Sequence, residues 1–378
     1  MTTLDKYERA SGVIRYSCAL LFSLFSFAYL CLQGDLLSEA QFVYSHGLTS
    51  YSIFFGALFI TLALQVIQKI VALLLPFNWQ YYSLSYFPSL LLLAILTDIT
   101  PGKLHDFSLG MWWWLFPLLL ILYIFALRFV RYRRAVGYKP LHLLWRNYVL
   151  LFLMMLLCGN IPHTNEVSHY EYAAERYVMR QQYDKALAVA DQSLHSSRRL
   201  TELRMYALSQ RGELAERLFD FPQLYGGEGL LSVSDTDSIY RYSSRRICLR
   251  LGALPGPNVH STLQYLWAIN SVDSLRSSVT IDYQLCYLLL DRRLQSFGNK
   301  LTEYYPPSAD TSLPRAYSEA VIYINNVSGG NLNYAISQDV IDRFNWYQHR
   351  KQELAHEKGG ENLLRREFWN TFWWYFEH

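Results

Sequence analysis

The chain has 378 residues, of which 52% are hydrophobic and 17% are charged, and its formal net charge is +3. An average soluble domain is about 45–50% apolar and about 25% charged. This composition excludes an intrinsically disordered chain. Five cysteines are too few for a disulfide framework in a chain of this length, and the small net charge does not indicate nucleic acid as a partner.

The charges divide the chain into two chemically different halves. Residues 1–160 contain 11 Lys and Arg and 6 Asp and Glu, whereas residues 161–378 contain 23 Lys and Arg and 25 Asp and Glu. A helix needs about 20 mostly apolar residues to cross a membrane, and five stretches of the first half approach this length. We predict spans at 12–32, 52–75, 84–99, 109–128 and 141–158. The third is short and contains Pro88, so it is expected to be tilted, broken or partly re-entrant.

The positive charges predict an orientation, because Lys and Arg of short loops are retained on the cytoplasmic side. With the N-terminus in the cytoplasm and five crossings, ten of the 11 basic residues of 1–160 lie at the cytoplasmic face and only Lys103 lies outside. Residues from about 160 onward are then exported, which in a Gram-negative inner membrane means the periplasm. An error of one crossing at the third stretch would reverse this orientation.

The second half has a different pattern, in which amphipathic helices alternate with turns rich in Gly, Pro and Ser. Helices of this length and spacing are typical of an array of helical hairpins. The predicted fold is therefore all-α: a five-helix transmembrane bundle over 1–160, a helical-hairpin repeat domain over 161–366 and an aromatic C-terminal segment over 367–378. A helical bundle without repeats is the alternative for the second half.

The stretch from Tyr170 to Ser193 resembles a tetratricopeptide repeat. Its small and aromatic residues follow the spacing of the two helices of that repeat, where they allow close packing. These residues are Ala174, Tyr177, Tyr183, Ala186 and Ala190. Gln181 stands where the repeat usually has its turn glycine, and Arg198 stands where it usually has its closing proline.

The layout of the whole chain resembles an uncharacterised family of bacterial integral membrane proteins. Members of that family have several N-terminal spans followed by an exported tetratricopeptide-like domain and an aromatic C-terminus. The resemblance rests on the arrangement of the segments, and it implies a location in the cell envelope without a known activity.

The sequence contains no motif for a metal, a cofactor or a catalytic nucleophile. It lacks His-Glu-x-x-His, Cys-x-x-Cys, a phosphate-binding Gly-rich loop with Lys, and Gly-x-Ser-x-Gly. We therefore predict no catalytic, cofactor-binding or metal-binding residues. His163 and His169 lie beside Glu166 and Glu171 and could gather a metal ion, but solvated polar residues next to the last span are the simpler interpretation.

Two groups of residues are candidates for binding a partner. Four arginines recur at helical intervals and suit an acidic partner or phosphate groups, although a solvated face paired with nearby acids is the alternative. They are Arg241, Arg245, Arg246 and Arg250. No aromatic residues alternate with them as in a site for single-stranded nucleic acid.

The second group belongs to the C-terminal segment, which has seven aromatic rings in residues 367–378. Its candidate binding residues are Trp369, Trp373 and Trp374. So apolar a segment has to be shielded from water. Three alternatives are possible: it packs as a cap on the helical array, it lies in the outer-leaflet interface, or it docks onto a partner.

The function predicted from these features is an inner-membrane-anchored periplasmic scaffold or adaptor. It would bind another envelope protein through a helical repeat surface, as a subunit of a membrane complex surrounded by lipid. The alternative is an envelope enzyme or transport component acting on a lipid-linked or exported substrate, which requires Asp98, Arg146 or the Asp106/His105 pair to converge. Cys248 and Cys286 are the two cysteines that could pair.

Overall fold

A computed structural model describes residues 3–45, 47–75, 79–98, 110–132, 140–160, 166–191, 193, 195–233, 241–307, 312–327 and 329–378. Within these ranges every regular element is a helix. The chain divides into two compact units, Met1–Tyr172 and Ala173–His378. The division falls inside a helix that extends over Glu166–Met179.

The first unit is built from long apolar helices. They are α1 (Thr3–Leu32), α2 (Gly34–Tyr44), α3 (Ile53–Leu74), a 3-10 helix (Trp79–Tyr86), α4 (Phe87–Thr97), α5 (Trp112–Tyr132), α6 (Pro140–Asn160) and α7 (Glu166–Met179). Among the described residues, four stretches are long and apolar enough to cross a membrane: Ser11–Leu32, Ile53–Leu74, Trp112–Phe129 and Leu141–Asn160. The third predicted span, 84–99, is not one of them, because its helical backbone is divided between the 3-10 helix and the 11-residue α4.

Contacts inside the first unit fix the directions of α1, α3 and α4. Helices α1 and α3 are antiparallel, because Gln65 Nε2 donates to the Ala19 carbonyl at 2.9 Å while Phe54 contacts Phe27 nearer the other end of the pair. The segment Trp79–Thr97 runs parallel to α1. Its Tyr86 ring packs against Phe22, with 4.9 Å between the centroids, and Thr97 lies 3.4 Å from the Tyr29 hydroxyl.

The same segment runs parallel to α6. The Ser83 N–H donates to Asn147 Oδ1 at 2.9 Å, and the Cys158 thiol donates to the Leu90 carbonyl at 3.3 Å. Each of these four side chains is buried. The buried Asn147 amide and the buried Cys158 thiol are stable here because each finds a hydrogen-bond partner.

The second unit contains ten helices among its described residues, together with the end of α7. They are α8 (Tyr183–Ala188), α9 (Arg198–Arg211), α10 (Ser244–Leu251), α11 (Thr262–Asn270), α12 (Ser278–Leu290), α13 (Leu294–Tyr304), α14 (Arg315–Asn326), α15 (Gln338–Leu354), α16 (Gly360–Phe368) and α17 (Phe372–Glu377). A short 3-10 helix covers Gly226–Gly229. Short helices of this kind are stabilised mainly by the packing of their apolar faces.

Local sequence explains where several of these helices begin and end. Ser277 and Thr280 form a reciprocal capping box at the start of α12. Helix α9 ends at Gly212, whose φ of 69° is the left-handed conformation that glycine adopts without steric cost. Helices α12 and α13 form a hairpin around Arg292.

The second helix of the predicted tetratricopeptide unit is short. Helix α8 ends at Ala188, so Ala190 does not continue it, and Ala190 has a φ of 51°. Arg204 Nη2 donates to the carbonyls of Val189 and Ala190 at 2.8 and 2.7 Å. The Arg204 side chain therefore takes up carbonyl groups that a longer helix would have used for its own hydrogen bonds.

Candidate binding site in the helical unit

The aromatic segment at the end of the sequence packs into the second unit. Phe368, Phe372, Trp373 and Trp374 are buried, whereas Trp369 keeps 39% of its surface exposed. Trp373 packs against Phe344 and Tyr347, and Phe372 packs against Phe219 and Tyr323. Of the three candidate tryptophans, Trp369 is thus the one whose ring is presented to solvent.

A buried carboxylate holds the start of α17. Glu319 is 1% exposed, and its Oε2 accepts the Phe372 backbone N–H at 2.7 Å while its Oε1 accepts Arg315 Nε at 2.9 Å. Burial raises the pKa of Glu319, and the neighbouring Arg315 opposes that shift. Arg315 also donates to the Asn370 carbonyl at 2.6 Å, so the turn between α16 and α17 is fixed by charge-assisted hydrogen bonds.

The other end of α17 is held from two sides. Glu377 accepts hydrogen bonds from Tyr347 and from Lys351, the latter at 2.7 Å. Arg292, at the turn of the α12–α13 hairpin, donates to the Tyr375 carbonyl at 3.0 Å and lies over the Tyr375 ring. A cation at the carboxyl end of a helix is favourable because the free carbonyls carry partial negative charge.

The fixed segment forms one wall of a cavity of about 790 Å³. We call this the Trp369 cavity; Phe219, Phe221 and Trp374 provide its buried apolar surface, and Leu224 and Trp369 are its exposed apolar residues. Its cationic residues are Arg292, Arg365 and Arg366, and Glu361 is the one Asp or Glu that lines it. The volume lies in the range of ligand-binding pockets, about 300–1,000 Å³.

Two further cavities adjoin the Trp369 cavity. One of about 420 Å³ shares Phe221 and Trp369 with it, and one of about 910 Å³ shares Glu361, Asn362 and His378. The three cavities together give α16 and α17 concave surroundings.

Arg365 and Arg366 determine the charge of this region. Both are exposed, and they lie on α16 four and three positions before Trp369, so the three side chains share one helical face. Neither arginine side chain forms an ion pair or a hydrogen bond with a described residue. Their neighbour Glu367 is already bound to Arg350 at 2.9 Å. The Trp369 cavity therefore has two uncompensated positive charges beside it.

The candidate arginines around α10 lie on a different surface. Arg245, Arg246 and Arg250 are exposed on α10, while Ile247 and Cys248 of the same helix are buried. Among the described residues no carboxylate pairs with these three arginines, so the expectation of a face neutralised by nearby acids has no support in the ion pairs. Arg241 precedes the helix and is half-buried.

The residues of the tetratricopeptide-like stretch lie partly in the core. Ala174 and Ala186 are buried, and Tyr177 is half-buried. Tyr183 is half-buried and contacts Tyr206 edge to face, with 6.3 Å between the centroids. The buried alanines and the Tyr183–Tyr206 contact pack helices together.

Of the polar groups that an enzyme or transporter would bring together, the described Asp98 and Arg146 lie apart. Asp98 Oδ2 accepts Trp112 Nε1 at 2.6 Å, at the end of α4, whereas Arg146 lies over the Tyr81 ring at 4.3 Å, at the start of the 3-10 helix. The segment between them runs parallel to α6, so these two groups lie toward opposite ends of the first unit. His105 and Asp106 lie outside the described residues.

The described part of the chain contains no group of three or more His, Cys, Asp or Glu that could hold a metal ion. Burial lowers the pKa of His169, and the Asp35 carboxylate opposes that shift; His163 lies outside the described residues. Cys248 and Cys286 are both buried and both free.

Sequence reasoning missed the arginines of α16. Their spacing from Trp369 was a visible signal, because positions i, i+3 and i+4 share a helical face. The contribution of Phe219, Phe221 and Leu224 to the same cavity was not visible, since about 140 residues of sequence separate them from α16.

The fold and the site together define an all-helical chain that has four helices suited to a membrane and a second unit with a cationic, aromatic cavity. The chain belongs to DUF6057, a family of unknown function, which it matches over residues 99–255 and 260–378. The expectation of an uncharacterised family is thereby confirmed. No curated protein and no solved structure matches the chain. Every residue that lines the Trp369 cavity lies within the matched ranges.

Proposed function

We propose that this protein is a membrane-anchored adaptor that binds another protein of the cell envelope through its second, helical unit. The observation that carries this proposal is the exposed Trp369, which shares a helical face with Arg365 and Arg366 beside the Trp369 cavity. Trp and Arg are enriched among the residues that dominate the binding energy of protein interfaces, where they fill or line pockets.

The architecture of the second unit supports an interaction surface. Helical hairpins present extended concave surfaces that bind proteins without a catalytic pocket. The hairpin of α12 and α13 and the buried Ala174 and Ala186 are consistent with a tetratricopeptide-like arrangement. We propose this arrangement for the unit as a whole, with α8 as a shortened member.

We also propose that the membrane unit crosses the bilayer five times, with the segment Trp79–Thr97 as the third crossing. The 11 residues of α4 rise about 16 Å at 1.5 Å per residue, which is about half of the hydrocarbon thickness of about 30 Å. The 3-10 segment before α4, whose helical backbone is interrupted at Tyr81, would supply the rest of the path. The contacts of its two ends with α1 and α6 support a path along the whole bundle.

The direction of α5 agrees with five crossings. Asp98 and Phe87 of the third segment contact Trp112 and Tyr123 of α5, so these two helices are antiparallel. The five segments then alternate in direction. The ring contacts of Arg15 with Tyr82 and of Arg146 with Tyr81 gather basic residues at one end of the unit.

This alternation supports an inner-membrane protein with a cytoplasmic N-terminus and a periplasmic second unit. With five crossings, ten of the 11 basic residues of 1–160 lie on the cytoplasmic side, whereas with four crossings they would divide almost evenly between the faces. The exposed apolar side chains of the spans then contact lipid or the spans of the partner complex.

The binding proposal is tested by crosslinking in intact cells, followed by affinity purification of the tagged full chain in mild detergent and mass spectrometry. We expect an envelope protein in stoichiometric amount from the native chain. Trp369→Ala should lower the recovery of this partner about tenfold or more, because a hot-spot side chain contributes about 2 kcal/mol or more to the binding free energy.

Trp267→Ala is the matched control, since Trp267 is also an exposed tryptophan of the second unit and lines none of the three cavities. We expect this variant to retain the partner. Recovery of the native chain alone, or an undiminished partner with Trp369→Ala, would contradict the proposal.

A further inference from the structure

We infer that the partner binds through an acidic segment with an apolar side chain, which enters the Trp369 cavity and pairs with Arg365 and Arg366. This inference rests on the proposed function and names the chemistry of the partner. It follows from three properties of the cavity: its charge, the depth of its apolar surface and the exposure of its mouth.

The charge favours an anionic segment. Arg292 is already engaged with the Tyr375 carbonyl, and Glu361 is the one acid that lines the cavity. Arg365 and Arg366 are exposed and pair with no carboxylate among the described residues. Arginine binds carboxylates through two parallel N–H donors, so two adjacent arginines suit two acidic side chains of one segment.

The apolar surface favours an anchor side chain. Phe219, Phe221 and Trp374 are buried, yet they line the cavity, so an inserted side chain would contact all three rings. A bilayer surface is too flat to reach rings at this depth. An anionic membrane is therefore disfavoured as the occupant, although it would attract the same arginines.

The exposed mouth favours a polypeptide over a small molecule. Leu224 is 63% exposed and Trp369 is 39% exposed, and both line the cavity. A small ligand within the cavity would leave these side chains in water. A polypeptide segment that continues past the mouth would cover them and gain their apolar surface.

The other arginine face lacks this combination. Arg245, Arg246 and Arg250 are exposed and have no ion-pair partner among the described residues, but none of them lines any of the three cavities. The exposed Leu249 accompanies them on α10. This face has exposed arginines outside the three cavities, which makes it a suitable control.

The experiment places a photoreactive residue, p-benzoylphenylalanine, at Leu224 of the full chain in intact cells. A second variant of the full chain carries the same photoreactive residue at Leu249 instead. After irradiation, the crosslinked segment is identified by mass spectrometry. We expect Leu224 to capture one segment of the partner that has a net negative charge and at least one aromatic or large aliphatic residue.

Charge reversal then tests the arginines. The double variant R365E/R366E should lower the yield of this crosslink about tenfold, as expected when two charge-assisted contacts are replaced by repulsion. The double variant R245E/R246E makes the same change of charge at the control face and should leave the yield unchanged. Replacement of the acidic residues of the captured segment by Lys should restore the crosslink with R365E/R366E, because the charges of the two partners are then exchanged.

Different failures overturn different statements. Crosslinks from Leu224 to lipid, to a basic or neutral segment, or with undiminished yield in R365E/R366E would overturn the inference about the acidic segment. A partner captured from Leu249 and not from Leu224 would also overturn it, while leaving the proposed adaptor function intact. The absence of any partner from both positions, with the native chain purified alone, would overturn the proposed function itself.

Discussion

Arg199 shows how a charged residue can belong to the core of this protein. Its Nη2 donates to Glu175 at 3.0 Å and its Nη1 donates to Glu202 at 2.7 Å. Burial opposes the charge on the guanidinium, but Glu202 and Glu175 together raise the pKa of Arg199 above its ordinary value. Glu175 also accepts the Tyr242 N–H at 2.8 Å. This network joins α7, α9 and the segment before α10.

Replacement of Arg199 by Met should destabilise the second unit strongly. The substitution leaves Glu175 and Glu202 buried without their cation, which costs about 3–5 kcal/mol. The measurement is the denaturant midpoint of the detergent-solubilised chain, with unfolding monitored by its aromatic circular dichroism. Arg198→Met is the control, because Arg198 is exposed and lies 3.7 Å from Glu228, so it should change stability by about 0–1 kcal/mol. Equal losses in the two variants would contradict this account.

Asp282 is a half-buried carboxyl group that makes stability depend on pH. Burial raises the pKa of Asp282 above its ordinary value of 3.8, while hydrogen bonds from Tyr317 and Tyr305 oppose the shift. These bonds measure 2.9 and 3.0 Å. Since the unfolded chain loses this proton first, the contribution of Asp282 to stability is full below pH 3.8 and falls as the pH rises to the folded pKa.

Asp282→Asn should remove this dependence. The amide oxygen of Asn can still accept both tyrosine hydroxyls, but it has no charge to bury. We expect the stability of the variant relative to the native chain to increase as the pH rises from about 4 to about 7. Unfolding midpoints of both proteins across this range provide the test, and a constant difference would contradict the prediction.

Neither the buried Arg199 nor the half-buried Asp282 could be located from the sequence. Arg, Asp and Glu are exposed in most proteins, and nothing in the local pattern distinguishes Arg199 from its neighbour Arg198. The burial of Arg199 results from contacts between distant positions: Glu175 lies 24 residues before it, and Tyr242 lies 43 residues after it.

At the scale of the helix, local rules predicted some elements and missed others. The α12–α13 hairpin and the end of α9 at Gly212 follow from capping residues and helical periodicity, which depend on neighbours in sequence. The early end of α8 does not, because it depends on hydrogen bonds from Arg204, which belongs to α9. A tertiary contact thus overrides the repeat pattern at this position.

The turn before α8 contains a residue with a positive φ. Gln181 has a φ of 57°, and it stands where the tetratricopeptide repeat that this stretch resembles usually has glycine. This left-handed conformation costs a non-glycine residue about 1 kcal/mol. Gln181 therefore strains the backbone of this turn.

Gln181→Gly should stabilise the second unit by up to about 1 kcal/mol, because glycine adopts a positive φ without that steric penalty. Gln182→Gly is the matched control, since Gln182 has a φ of −92° and gains no such relief. It should destabilise the unit by about 0.5–1 kcal/mol through the greater entropy of the unfolded chain. Denaturant midpoints of the two variants would decide, and a loss of stability in Gln181→Gly would contradict the strain argument.

At the scale of the whole molecule, composition alone distinguished a first half rich in long apolar segments from a second half of amphipathic helices. Four of the five predicted spans correspond to helices that are long and apolar enough to cross a membrane. The stretch 84–99 differs because Pro88 lies in the first turn of α4 and a 3-10 helix precedes it. Hydropathy reports how apolar a segment is, but it does not report which helix type the segment adopts.

The direction of Trp79–Thr97 decides the side of the membrane on which the second unit lies. A fusion of green fluorescent protein after Asn160 and a fusion of alkaline phosphatase at the same position would report that side in a Gram-negative host. Five crossings predict an active phosphatase and a dark fluorescent protein, because Asn160 then ends the last span on the periplasmic side.

Fusions after Leu74 and after Leu32 provide internal controls at the ends of the second and first spans. Leu32 should report the periplasm and Leu74 the cytoplasm under either count, since the first two spans do not depend on the third segment. A fluorescent fusion at Asn160 together with these two control results would mean four crossings. The second unit would then face the cytoplasm, and the partner of the Trp369 cavity would have to be sought there.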